Sequence, residues 1–205
     1  MEMGDVIYSV YGETRHVPYY HCASNFSPDQ SHHVVLLHAA RFTKEDWKSS
    51  GIFETLCSSP HVSVSAMDLS IKAGHRDIAG MLSAMKEEAQ INLPVTLITP
   101  SASGMGIVDW MSNGRLPDLP KYVQKWIPVA CFAVSAATED QLARLSRLEH
   151  FDVLAIFGSK DRGGRDISTR LEDYVGARSL ELDGGHACYL DSPHEFSTAV
   201  LKFLG

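Results

Sequence analysis

From about residue 34 onward, short runs of β-branched and aromatic residues alternate with amphipathic stretches, and this alternation limits the chain more than any other feature. Strands separated by helix-length segments cannot pair as hairpins, so they must lie parallel and be joined by crossover helices, which makes the expected fold class α/β. Residues 34–37, 62–67, 95–99, 127–132, 153–157 and 178–182 read as strands three to eight. Ahead of them, residues 6–11 and 16–21 flank Gly12-Glu13-Thr14 and read as an antiparallel hairpin at a sheet edge. The expected architecture is an eight-stranded, mostly parallel sheet flanked by helices.

The helices announce themselves by caps and stripes. Thr43-Lys44-Glu45-Asp46 has the form of a capping box opening a helix to about residue 57, and Thr138-Glu139-Asp140-Gln141 opens another that carries Leu142, Leu145 and Leu148. Residues 77–89 place Ile78, Met81, Leu82 and Met85 on one apolar stripe. Residues 104–111 and 167–174 read as further helices, and Leu116-Pro117-Asp118-Leu119-Pro120 as a loop. Ser192-Pro193-His194-Glu195 combines a Ser cap, Pro at the first helical position and Glu at the third, starting a helix that runs to about residue 204. No repeat or linker interrupts the series, so residues 1–205 are expected to form a single domain.

Composition removes several function classes. Eighteen Lys+Arg against 25 Asp+Glu leave a net charge of −7, and no basic cluster could neutralise a phosphate backbone, so nucleic acid is not an expected partner. Apolar runs such as residues 34–37 and 129–134 fall far short of the ~20 needed to cross a bilayer, so no membrane association is expected. The first ten residues include Glu2 and Asp5 and no apolar core of a secretory signal, which points to a cytoplasmic location. Cys22, Cys57, Cys131 and Cys188 are scattered without a C-x-x-C pair, as suits reduced thiols. His32 and His33 are adjacent and poorly placed to share an ion, so neither a metal nor an organic cofactor is expected.

In open α/β sheets, chemistry gathers at the carboxyl ends of strands, where loops vary over a rigid support. After strand five comes Thr99-Pro100-Ser101-Ala102-Ser103-Gly104, in which Ser101 has small residues two before and two after it, the spacing of a nucleophile elbow. Choosing Ser103 instead would put bulky Met105 where that turn has least room. After strand seven comes Gly158-Ser159-Lys160-Asp161, and after strand eight Gly184-Gly185-His186. The order Ser, acid, His on those three strand ends gives each residue a task. Ser101 would be the nucleophile, His186 the base that removes its proton, and Asp161 the group that fixes the imidazole's tautomer. Oxyanion donors would be the N–H of Ala102 and one from the loop His38-Ala39-Ala40-Arg41, with Ala40 the candidate; Arg41 is a candidate substrate contact.

These residues resemble the α/β-hydrolase superfamily over essentially the whole chain, and within it the small cap-less group called α/β-hydrolase domain-containing protein 14. The resemblance is carried by Leu36-Leu37-His38 with Arg41-Phe42 and Trp47, by Pro100-Ser101-Ala102-Ser103-Gly104-Met105, and by His186-Ala187-Cys188-Tyr189-Leu190-Asp191. It implies a serine hydrolase fold with Ser101, Asp161 and His186 as triad, acting on small acyl esters or related acyl donors. The chain departs from the pattern at Ala39, where the superfamily usually has Gly, and at Asp68-Leu69-Ser70-Ile71, where the family has D-L-P-G.

Only residues 133–137 separate strand six from the next helix, which leaves no room for a lid and suits small or surface-presented acyl groups. Trp47, Trp110 and Trp126 are expected in the core, Cys188 as a buried inert thiol, and Asp68 as the organiser of its own turn. The expected activity is esterase or deacylase chemistry on a small acyl substrate. Two alternatives stay open: a binding or scaffold protein that retains the fold, and an acyltransferase to an acceptor other than water. A protein partner is also left open.

Overall fold

Alternation and continuity of burial divide the strands into edge and centre. In β1 (Glu2–Val10) Val6, Tyr8 and Val10 point inward while Asp5, Ile7 and Ser9 are exposed, whereas every side chain of β4 (Val62–Met67) and β5 (Val95–Pro100) is buried. The first pattern belongs to a strand covered on one face and the second to strands covered on both. The computed structural model describes residues 1–26, 31–88 and 90–205. Its remaining strands are β2 (Glu13–Cys22), β3 (His32–Leu36), β6 (Val123–Val129), β7 (Asp152–Gly158) and β8 (Arg178–Leu182). All eight form one sheet in the order β1-β2-β4-β3-β5-β6-β7-β8. β2 pairs antiparallel with both β1 and β4, and every other pairing is parallel.

The helices are α1 (Lys44–Ser49), α2 (Ile52–Cys57), α3 (His75–Glu87), α4 (Met105–Asn113), α5 (Glu139–Leu145), α6 (Arg162–Val175), α7 (Cys188–Asp191) and α8 (Pro193–Leu204). Two apolar clusters hold them to the sheet. One face packs the α3 stripe of Ile78, Met81, Leu82 and Met85 with Ile107, Trp110 and Trp126. The other packs Trp47, Phe53 and Leu56 with Tyr189, Phe196 and Val200 of α7 and α8. All three tryptophans are therefore core residues, as expected. Among the described residues no helix is long and apolar enough to cross a membrane.

β3 bonds to β4 on one side and β5 on the other, so the chain leaves it in one direction through α1 and α2 and crosses back through α3. Loops after β3 and β5 thus diverge and open a crevice at their carboxyl ends.

Several boundaries differ from the sequence expectation, each for a physical reason. The hairpin turn is Tyr11-Gly12, both at positive φ (54° and 79°), because a two-residue turn matching strand twist needs that geometry at both positions. The helix expected to run to residue 57 breaks at Gly51, whose φ of 78° ends α1 and starts α2. β6 begins four residues before the expected 127, because Lys125 can lie in a strand by sending its Nζ to the carbonyls of Phe203 and Leu204 at 2.9 and 2.7 Å. It also ends earlier, at Val129, since Ala130 turns the chain with φ 43°. α6 begins five residues before the expected 167, its Gly163-Gly164 start having masked it, and α7 was not expected. Residues 116–121 form a 3-10 turn, and residues 101–104 a second one ahead of α4. The expected end of α3 at Ala89 lies outside the described residues. Ser192 occupies the cap position of α8, but its hydroxyl donates to Asp183 O instead of capping.

Candidate active site

β5 ends in Pro100, and the next residue, Ser101, takes φ 52°, left-handed backbone that a non-glycine residue adopts only when its surroundings hold it there. Three contacts supply that hold. Thr99, fully buried, accepts the indole N–H of Trp126 at its Oγ1 (2.8 Å). Ser103 donates its hydroxyl to Pro100 O at 2.8 Å, so it is occupied within the turn. Gly104 lies so close to the neighbouring chain that a Cβ there would sit 2.1 Å from Cys131 Sγ. The position that admits no side chain is therefore three residues after Ser101, not two. Burial pushes the Cys131 thiol up to about 12, so it packs as an apolar group.

Asp161 follows β7 and caps α6, accepting Gly164 N–H at Oδ1 (3.1 Å). Gly164 is required here, because a Cβ would meet Asp161 Oδ2 at 2.7 Å. With one oxygen spent on the cap, the other is aimed at His186: Oδ2 lies 2.7 Å from Nδ1. His186 Nε2 lies 2.9 Å from Ser101 Oγ. The imidazole is 54% exposed and the carboxylate 14%, so the relay runs from a sheltered acid to an open face. With Nδ1–H donating to Asp161, Nε2 is left to accept the serine proton.

β7 reaches this meeting point because Gly158 has no side chain: a Cβ would be 2.1 Å from Gly185 O and 2.6 Å from Gly184 O. The His186 loop thus rests directly on the end of β7. None of Gly104, Gly158 and Gly164 stood out in the sequence, where a glycine beside a strand end reads as a turn former.

The loop after β3 is fixed from β4. Asp68 accepts Lys44 N–H at Oδ1 (2.7 Å) and Lys44 Nζ at Oδ2 (2.8 Å), joining the end of β4 to the start of α1. Burial works against the Lys44 charge, but Asp68 and then Glu45 outweigh it and hold its pKa above the usual lysine value. Asp68 therefore orders more than its own turn. Trp47 Nε1 donates to Leu37 O at 3.1 Å, and His38 Nδ1 lies 3.0 Å from Ala39 O. Ala39 is buried and does not belong to the residues at positive φ, so its methyl group brings no backbone strain. Ala40 and Arg41 are exposed in the turn that follows, and Ala102 is half-buried directly after Ser101. Cys188 is fully buried, its thiol pushed up to about 12 by desolvation.

Among the described residues no group of three or more His, Cys, Asp or Glu side chains could hold a metal ion. β6 passes into α5 through a short 3-10 turn, Phe132–Ala136, with no inserted cap.

An eight-stranded sheet of this order, with a serine at positive φ after β5, an acid after β7 and a histidine after β8, has the α/β-hydrolase fold. Within that class it is similar to the α/β-hydrolase domain-containing protein 14 proteins. It is 28% identical over 185 residues to the human putative protein-lysine deacylase ABHD14B, covering 83% of this chain and 82% of that one. Zebrafish protein ABHD14A is 28% identical over 186 residues, covering 83% of this chain and 63% of the relative. No protein-family model matches the chain. Solved structures of the same fold include a CIB-like hydrolase of Thermoplasma acidophilum (TM-score 0.72, 20% identity, 100% of this chain and 98% of that one). A thermophilic esterase from Thermogutta terrifontis is another (TM-score 0.70, 12% identity, covering 100% and 98%).

Proposed function

We propose that the protein is a serine hydrolase that removes small acyl groups from esters or acylated amines through Ser101, His186 and Asp161. The observation that carries this reading is the continuous contact from Ser101 Oγ to His186 Nε2 and from His186 Nδ1 to Asp161 Oδ2, at 2.9 and 2.7 Å, with the serine on a strained turn. In the first step Ser101 Oγ bonds to the acyl carbon while His186 takes its proton; the imidazolium then gives that proton to the leaving oxygen or nitrogen as its bond to the acyl carbon breaks. Water repeats the sequence, giving a proton to His186 and a hydroxyl to the acyl carbon; the imidazolium then returns that proton to Ser101 Oγ as the bond from Oγ to the acyl carbon breaks and the acid leaves. Asp161 stabilises the imidazolium in both halves. The N–H groups of Ala102 and Ala40 are the donors assigned to the developing oxyanion in this reading, and losing one such donor typically costs about 3 kcal/mol of barrier.

The naming of the human relative as a putative lysine deacylase supports an acylated amine within the substrate class. So does the open site: a half-exposed imidazole, and the absence of an inserted cap in residues 130–138 between β6 and α5, leave few walls to grip a long chain. Arg41, exposed in the loop after β3, is the candidate contact for an anionic group of the substrate.

A fluorophosphonate probe tests the reading. Wild-type protein takes up the probe and the Ser101→Ala variant does not; absence of label on wild type would overturn the proposal in favour of a binding role. Across a chain-length series of nitrophenyl esters, acetyl is preferred to long acyl groups.

A further inference from the structure

Asp191 ties down the peptide that leads into His186. It is the last residue of α7, and its carboxylate turns back across that helix so that Oδ2 accepts Gly185 N–H at 2.7 Å. Gly185 is the immediate neighbour of His186. Gly184 takes φ 141°, and a Cβ there would lie 2.6 Å from the same carboxylate oxygen and 2.7 Å from Asp191 Cβ, so Asp191 packs against the loop as well as bonding to it. The next residue adds a second tie, with Ser192 Oγ donating to Asp183 O at 2.7 Å. From the β7 side, Lys160 N–H donates to Gly184 O at 2.9 Å.

Two consecutive glycines are the most mobile way to lead into a residue, since neither has a side chain to restrict its backbone. Unrestrained, small rotations there would carry the imidazole away from both partners, and the 2.9 and 2.7 Å contacts tolerate little displacement. A charge-assisted bond to Gly185 N–H removes that freedom at the peptide nearest the histidine.

We propose that Asp191 is a positioning residue for His186, acting through the Gly185 peptide to hold the imidazole between Ser101 and Asp161. This rests on the reading of His186 as the base. Asp191 touches neither Ser101 nor Asp161 in the contacts described, so its effect is on how often the imidazole is correctly placed.

The test uses Asp191→Ala and Asp191→Asn, the second of which keeps an acceptor oxygen. Turnover is normalised to sites titrated with fluorophosphonate, and His186 ring resonances, assigned with His186→Gln, are followed by NMR. The Ala variant is expected to lose about ten- to a hundredfold in kcat per titrated site with KM unchanged. Its His186 resonances should shift toward those of a free imidazole, and the Asn variant should restore both. An Ala variant with wild-type kcat per site and unmoved His186 resonances would overturn the assignment, as would an Asn variant no better than Ala. If wild-type protein takes up no probe, the hydrolase reading fails, and the His186 resonances of the two variants still decide whether Asp191 positions the ring.

Discussion

At the scale of single residues, the site is built from side chains that serve two structural ends at once. Asp161 caps α6 with Oδ1 and meets His186 with Oδ2, so the two roles separate by substitution. Asn also caps helices but would present the wrong partner to Nδ1–H. Asp161→Asn should therefore cut kcat by on the order of 10⁴-fold while leaving urea stability nearly unchanged, and Asp161→Ala should lose activity together with about 1 kcal/mol of stability. Equal stability losses in both would show that the cap contributes nothing. Ser101 stores strain, since φ 52° is costly for any residue with a Cβ. Ser101→Gly is expected to unfold at higher urea concentration than Ser101→Ala, by about 0.5–1 kcal/mol after allowing for the extra freedom of unfolded glycine. The order reversed would remove the strain argument.

At the scale of elements, what could be read locally was read well. Both capping boxes, at Thr43 and Thr138, form with the reciprocal bonds their spacing implied, and the α3 stripe is wholly buried. β4 and β8 have the expected bounds. Backbone turns at Tyr11-Gly12, Gly51 and Ala130 moved some boundaries; elsewhere the partner lay outside the element, with Lys125 satisfied by the last carbonyls of α8 and Ser192 bonded to Asp183 instead of its own helix. The candidate site was legible to the same degree. Ser101, Asp161 and His186 could be picked out because each follows a strand, but Gly164 and Asp191 could not, because a close contact three or six residues away leaves no periodic pattern, nor could Gly104 and Gly158, whose constraint lies in chain segments far along the sequence. One such constraint is open to a double-mutant cycle. Gly104→Ala should destabilise the fold by about 1–3 kcal/mol through its collision with Cys131 Sγ, and Cys131→Ala should recover part of that loss when the two are combined. Simple additivity would mean the two residues do not meet.

Across the whole molecule, pH acts outside the relay. His21 is 3% exposed, with Nδ1 2.9 Å from Ser65 Oγ, and burial lowers its pKa below the usual 6.5; burial also lowers that of half-buried His32. Unfolding lets both take up protons at pH values where the folded protein resists them, so this contribution is complete above about pH 6.5 and is lost as pH falls below it. Urea stability should therefore drop from pH 7.5 to pH 5.5, and drop less in a His21→Gln variant; an equal drop in both would exclude His21. The linear chain determined the succession of strands and helices, their caps and the three strand ends that bear chemistry, because hydrophobic period and capping act over a few neighbouring residues. Only the tertiary structure decided that Ser101 and His186, 85 positions apart, lie within a hydrogen bond of each other. The cause is physical: strand order and the clearance that Gly104 and Gly158 leave by having no side chain are set by packing between segments that no local pattern connects.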